Sequence, residues 1–315
     1  MFSVLDMFTI GVGPSSSHTV GPMCAAQAFA SSLEESGAVS RVGRIRVVLY
    51  GSLSLTGLGH GTDRAILAGL EGNVPATVDT DYLLSVRERC AHDGTIHVNG
   101  TNAIAYDDDG DMVFDRWKRL APHPNGMRFQ AFDAQGNIID EQVWYSIGGG
   151  FIRRGRIDDA LISNHEQAPA SSQSPEDSGN DEAAEYGDGV PYPFVSCDGL
   201  IDLCRKHHLS IADVVWANET ARRSPQEVRD RLTRIWNVMS HCIDAGCASA
   251  TPTLPGGLDV PRRAPLMYRR LAANSDVLRR DRRISSALES SDSAWVALFA
   301  MSVSEENAGG GRVVT

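Results

Sequence analysis

The chain has 315 residues, 42% of them hydrophobic and 22% charged, with a formal net charge of -11. That length suits two domains better than one core, and the composition is ordinary for a globular protein. The negative charge argues against general nucleic-acid binders and anionic-membrane binders, whose phosphates repel it, so neither partner is expected.

No apolar run is long enough to span a bilayer, and no basic segment with an apolar core opens the chain, so a cytoplasmic location is expected. Ser15-Ser16-Ser17 supplies capping hydroxyls for a helix running to Glu35 and stopping at Gly37. Arg44–Tyr50, rich in β-branched residues, reads as a strand ended by Gly51. Thr62–Leu70 reads as a second helix, N-capped by Thr62 and closed near Gly72. Asn102–Asp115 is expected to fold back at the acidic turn Asp107–Asp111, and Gly126–Tyr145 to form a hairpin turning at Gln135-Gly136-Asn137. The mixed α/β pattern ends near Gly148-Gly149-Gly150. From Gln167 to Gly189 the composition shifts to Ser, Pro, Glu, Asp, Asn and Gly, too polar to offset its ordering entropy, which predicts a flexible acidic linker.

After Pro193 the pattern is helical. Ser224-Pro225-Gln226-Glu227 predicts a capped helix start, with the helix stopping at Gly246, and Ser210 and Ser291 are further candidate caps. The Arg-rich stretch from Arg262 to Arg283 reads as a solvated face or ion-pair rim. The last helix carries Trp295, Val296, Leu298, Phe299 and Met301, an apolar surface that needs a partner.

Three segments have the makings of a site. Gly11-Val-Gly-Pro-Ser-Ser-Ser-His-Thr19 combines glycines that permit close backbone approach, a helix N-terminus that favours an anion, and hydroxyl and imidazole donors suited to a carboxylate. It lacks the Gly-Lys-Ser/Thr ending of a P-loop, and its alternative reading is a well-capped helix start. Gly51 to Asp63 is a strand end, a glycine-rich turn and a helix start, where α/β folds bind ligands. His60 lies there between two glycines, either a base or acid near neutral pH or an exposed turn histidine, with Asp63 close enough to orient it or hold an ammonium group. His123-Pro-Asn-Gly-Met127 reads by itself as a turn. The other histidines lack partners at metal-ligand spacing. The six cysteines (Cys24, Cys90, Cys197, Cys204, Cys242, Cys247) include no Cys-x-x-Cys pair, so zinc or a cluster held wholly by this chain is not expected.

In order along the chain, Gly13 to Pro22, Tyr50 to Gly57 with Gly59 to Asp63, His123 to Met127, Tyr145 to Phe151, Pro191 to Phe194, Val260 to Ala264 and Glu305 to Thr315 resemble the iron–sulfur-dependent L-serine dehydratases of bacteria, single-chain type. The resemblance implies an α/β domain over 1–154, similar to the allosteric substrate-binding domain of phosphoglycerate dehydrogenases. It implies a linker over 155–190 and the first part of an all-α domain over 191–315. It further implies deamination of L-serine to pyruvate and ammonia, with a [4Fe-4S] cluster held by three cysteines and its fourth iron acting as a Lewis acid on the substrate hydroxyl. His60 and Asp63 become the candidate catalytic pair, His60 as base. Ser15, Ser17, His18, Thr62, His123 and Asn125 become candidate substrate-binding residues.

A pyridoxal phosphate enzyme would need a Schiff-base lysine, and the only lysines, Lys118 and Lys206, sit in no phosphate-cradling context. The family's cluster cysteines follow a Gly-Gly-Arg-Val-Val-Thr motif that here ends the sequence, and none of the six cysteines falls in a ligand motif. The expectation is therefore a chain truncated within its helical domain, without cluster ligands, acting as a homo-oligomer or with a complementing C-terminal chain. A non-catalytic serine-binding remnant is the alternative.

Overall fold

The computed structural model describes residues 3–164, 189–255, 259–280 and 285–315. Strand β1 (Ile10–Val12) leads through one wide π-type turn (Ser16–Val20) into helix α1 (Gly21–Glu35). Ser15 caps this start as expected, its side chain accepting from the His18 amide. Next come β2 (Arg44–Tyr50), the short α2 (Ser52–Thr56), α3 (Thr62–Leu70) and α4 (Thr80–Asp93). The strands that follow are β3 (Thr95–Val98), β4 (Asn102–Ala105) and, after the one-turn helix α5 (Asp108–Asp111), β5 (Met112–Asp115). They continue with β6 (Lys118–Leu120), β7 (Gly126–Phe132), β8 (Ile138–Gly148), β9 (Phe151–Arg154) and β10 (Leu161–Ser163).

One seven-stranded sheet runs in the order β3-β4-β2-β7-β8-β9, with β5 also paired to β2. Helices α1, α3 and α4 cover one face. Phe29 of α1 stacks on Phe129 of β7 with ring centroids 5.2 Å apart, and Leu33, Leu67 and Val86 close the same core. Gly69 lets α1 and α3 pack tightly, since a Cβ there would lie 2.4 Å from the Met23 carbonyl oxygen. The other face carries a smaller cluster of Val48, Tyr50, Leu120, Val143 and Tyr145, and β6 pairs with β10 as a separate ribbon.

Three expectations change here. Asn102–Asp115 does not fold back, because both β4 and β5 run parallel to β2. Arg44 at the start of β2 binds the buried Asp111 at 2.5 Å, anchoring the acidic turn as a step along the sheet. The reversal lies earlier, at Asn99 and Gly100, both at positive φ between β3 and β4. Helix α3 is capped by Gly61, in the left-handed region, and Thr62 is its first helical residue. Residues 155–164, expected in the linker, carry β10, and the Tyr145 hydroxyl donates to Asp159 at 2.6 Å. The rest of the expected linker, 165–188, lies outside the described residues.

The helical part contains α6 (Cys197–His207), α7 (Ile211–Thr220), α8 (Pro225–Ala248), α9 (Ala264–Arg280) and α10 (Ser285–Ala308), then β11 (Arg312–Val314). Ser210 forms a reciprocal capping box with Asp213, and Ser224 caps α8, which runs two residues past Gly246. Ser291, an expected cap, lies inside α10 and not at its start. Glu305 accepts from the amides of Arg263 and Ala264, serving the N-terminus of α9. A small cluster of Cys247, Ala264 and Leu298 gathers Trp295 and Met301, while Val296 and Phe299 stay exposed.

The two ends of the chain meet. β1 pairs antiparallel with β11, and Arg312 donates to the carbonyls of Pro75 and Val78. Ser3 donates to the buried carboxylate of Glu219 on α7 at 2.7 Å. Among the described residues no helix is long and apolar enough to cross a membrane.

Candidate active site

The sequence segments 11–19, 51–63 and 123–127 converge at the N-terminal end of α1. Proline at position 22 has no N–H for the His18 carbonyl one turn back. The Thr62 hydroxyl donates to that carbonyl at 2.5 Å instead. Reciprocally, the Thr19 hydroxyl donates to the His60 carbonyl at 2.8 Å. Both threonines are buried, so two crossed hydrogen bonds fix the backbone beneath two imidazoles whose ring centroids lie 4.9 Å apart.

The His60 Nδ1 sits 2.9 Å from the Thr56 carbonyl oxygen, which can only accept, so Nδ1 carries the proton. The Nε2 lone pair is thereby left for a ligand, as a general base requires. His18 is held at both nitrogens, by the Ser17 hydroxyl at 2.8 Å and the Ser52 hydroxyl at 3.0 Å. Burial, followed by the neighbouring His60, holds its pKa below the usual histidine value, favouring a neutral ring. Ser15 accepts from the His18 amide and lies 3.4 Å from the Ser17 hydroxyl.

The turn at 123–127 braces this arrangement. The Pro124 carbonyl accepts from the Ser52 amide at 2.9 Å, and the nearby Gly51 has φ +57 with no room for a side chain against the same oxygen. Asn125 is stapled to Ser146, its side-chain amide donating to that carbonyl and its own carbonyl accepting from that amide. His123 Nδ1 accepts from the Asn125 amide, and its pKa is lowered by burial and then by Arg153. Across the seam, Asn307 donates to the Pro14 carbonyl at 2.9 Å, and the Gly13 amide donates to Gly311. Gly13 must be glycine here, because a Cβ would fall 1.8 Å from the Asn307 carbonyl oxygen.

A cavity of about 280 Å³ opens beside His60, lined also by Thr19, Arg64, Pro14, Leu83 and Gly309. His60 is therefore the expected site residue that reaches this space. Ser15, Ser17 and His18 stand beside it as one hydrogen-bonded group. Thr62 and Asn125 are spent on backbone support, and His123 lies at the edge near Tyr145, with ring centroids 6.1 Å apart. Asp63 is buried in α3 and pairs with Arg87, which also binds Asp108 at 2.8 Å, so its contacts are to that network. A larger cavity of about 770 Å³, between α8 and residues 77–80, contains none of the expected residues. Ser52, Thr19 and Asn307 sit inside segments already singled out, while Arg64 gave no signal by spacing.

The iron–sulfur cluster implied by the resemblance requires grouped thiolates. Cys90 is buried and pushed up to about 11, first by burial and then by Glu71, and Cys24 and Cys242 are likewise raised to about 11 by burial. Among the described residues no group of three or more His, Cys, Asp or Glu side chains is arranged to hold a metal ion. The described residues do not fit the cluster.

Comparison with known proteins places these features. The serine dehydratase beta chain model matches residues 3–156, and the serine dehydratase alpha chain model matches residues 206–315. An L-serine dehydratase of Streptomyces coelicolor is 41% identical over 99% of this chain and 62% of its own length. L-serine dehydratase 1 of Escherichia coli is 40% identical over 100% of this chain and 62% of its own. One from Helicobacter pylori is 34% identical over 100% of this chain and 62% of its own. The chain thus spans about three fifths of the length of these relatives. With both of the family's models matched in order, and the motifs of both joined at the β1–β11 seam, the chain belongs to the bacterial L-serine dehydratase family.

Proposed function

We propose that the chain contributes the proton-abstracting half of an L-serine ammonia-lyase site, forming pyruvate and ammonia. The observation that carries this reading is His60, tautomerically fixed by Thr56 and facing a small cavity. β-Elimination from serine needs a base at Cα and a group that activates the β-hydroxyl for departure. His60 Nε2 takes the Cα proton. Ser15, Ser17 and His18 orient the substrate beside it, with Thr62, Asp63, His123 and Asn125 holding that shell in place. The α/β part is the counterpart of the allosteric substrate-binding domain of phosphoglycerate dehydrogenases, and the protein works in the cytoplasm.

Hydroxyl activation is not assigned to any described residue. The [4Fe-4S] cluster takes its ligands from outside the described residues, and the working enzyme is a homo-oligomer or includes a complementing C-terminal chain. A second reading, serine binding without turnover, draws on the absence of a grouped metal-ligand set among the described residues. Mixing the chain anaerobically with the portion of the Streptomyces relative that it does not match, then supplying iron and sulfide, distinguishes the two. Pyruvate from L-serine that disappears with His60→Asn, cluster absorbance persisting, supports the lyase. Serine binding without pyruvate in the mixture supports the second reading.

A further inference from the structure

We infer that Arg64 binds the carboxylate of the amino-acid ligand in the His60 cavity, an assignment that rests on the serine reading above. Among the described residues, Arg64 and His60 are the ionisable side chains lining that cavity, and no carboxylate lines it. At about 280 Å³ it lies just below the range of drug-sized sites, about 300–1,000 Å³, and suits a ligand the size of a small amino acid.

The arginines nearby are already committed. Arg87 holds Asp63 and Asp108, Arg89 holds Glu71, and Arg44 holds Asp111. Arg64 makes no ion pair or hydrogen bond with any described residue, although it is partly buried. Its guanidinium lies over Gly61, where an added Cβ would sit 2.8 Å from Nη2 and 3.0 Å from Nε. Gly61 is in the left-handed region at φ +64, so the backbone that turns His60 toward the cavity also leaves a flat seat for the guanidinium. Ser15, Ser17 and His18, which orient the substrate alongside, are hydrogen-bonded to one another and present no planar charged fork, so the carboxylate falls to Arg64.

A guanidinium presents a planar fork that matches a carboxylate in bidentate geometry. Held this way, the carboxylate is neutralised next to the carbon from which His60 removes a proton. The charge that develops at Cα is then less disfavoured, and Cα is pinned at a set distance from the base. Arg64 thereby makes a free α-carboxylate a requirement of the site, excluding amides and peptide-linked serine.

The test is calorimetric titration of the full chain with L-serine and with L-serinamide, using wild type, Arg64→Met and Arg64→Lys, each checked for an unchanged melting midpoint. Wild type should prefer L-serine. Arg64→Met should weaken L-serine by about ten- to a hundredfold while leaving L-serinamide unchanged, and Arg64→Lys should fall between. L-serine bound equally by wild type and Arg64→Met overturns the role of Arg64 and leaves the serine reading intact. Failure of wild type to bind L-serine overturns the serine reading and this inference with it.

Discussion

Thr62→Val tests whether the crossed threonine bonds organise the site. The substitution keeps the shape of the side chain and removes one hydroxyl from a fully buried position. That hydroxyl is the donor at 2.5 Å to the His18 carbonyl, whose helical donor one turn on is replaced by Pro22. Valine leaves the carbonyl buried without that partner, a cost of about 1–3 kcal/mol. For a domain of this size each kcal/mol lowers the melting midpoint by roughly 2–4 °C, so a fall of roughly 2–12 °C is expected by circular dichroism. Thr62→Ser, which keeps the donor, should recover most of the loss. L-serine affinity should drop in the same order as the midpoint, because His18 and His60 share this foundation. A valine variant that melts with wild type and binds L-serine equally well refutes the reasoning.

Three further outcomes follow from the geometry. Arg87→Met strands the buried Asp63 carboxylate, whose other oxygen already lacks a hydrogen-bond partner among the described residues, and should cost about 3–5 kcal/mol in urea denaturation. Gly13→Ala drives a methyl group into the Asn307 carbonyl, so the β1–β11 seam should open and show as early proteolytic cleavage next to Pro14. His18 and His123 both have folded pKa values below the ordinary histidine value of 6.5, so the unfolded chain binds more protons than the folded one as pH falls through that value. Stability from these groups is therefore full above about pH 6.5 and lost below it, and the urea midpoint should fall between about pH 7 and 5.5, less steeply in His18→Gln.

Much of the framework was legible because its signals are local. The strand Arg44–Tyr50, the Ser224-Pro225 helix start and the turn at Gln135-Gly136-Asn137 all stand where residue type and periodicity put them. The acidic run Asp107–Asp111 reads locally as a reversal, but Arg44, more than 60 residues away, turns it into a step along the same sheet. Thr62 reads as an N-cap by residue type, yet its hydroxyl serves His18, because the need created by Pro22 lies in another segment. Motif content brought the three site segments to attention but not their division of labour, which depends on what each polar atom already touches. Asp63 and Arg64 are adjacent in sequence, and one is buried in an ion pair while the other faces the cavity. The contact of Asn307 with Pro14 spans nearly the whole chain and leaves no trace in local spacing.

We propose that the described residues carry the base side of a serine elimination site and no ligand set for a cluster. Anaerobic iron–sulfur reconstitution of the purified chain, read together with L-serine binding and pyruvate release, addresses it most directly. The expected result is L-serine binding that weakens with Arg64→Met, no cluster absorbance and no pyruvate. A chain that by itself acquires a cluster and releases pyruvate from L-serine contradicts it.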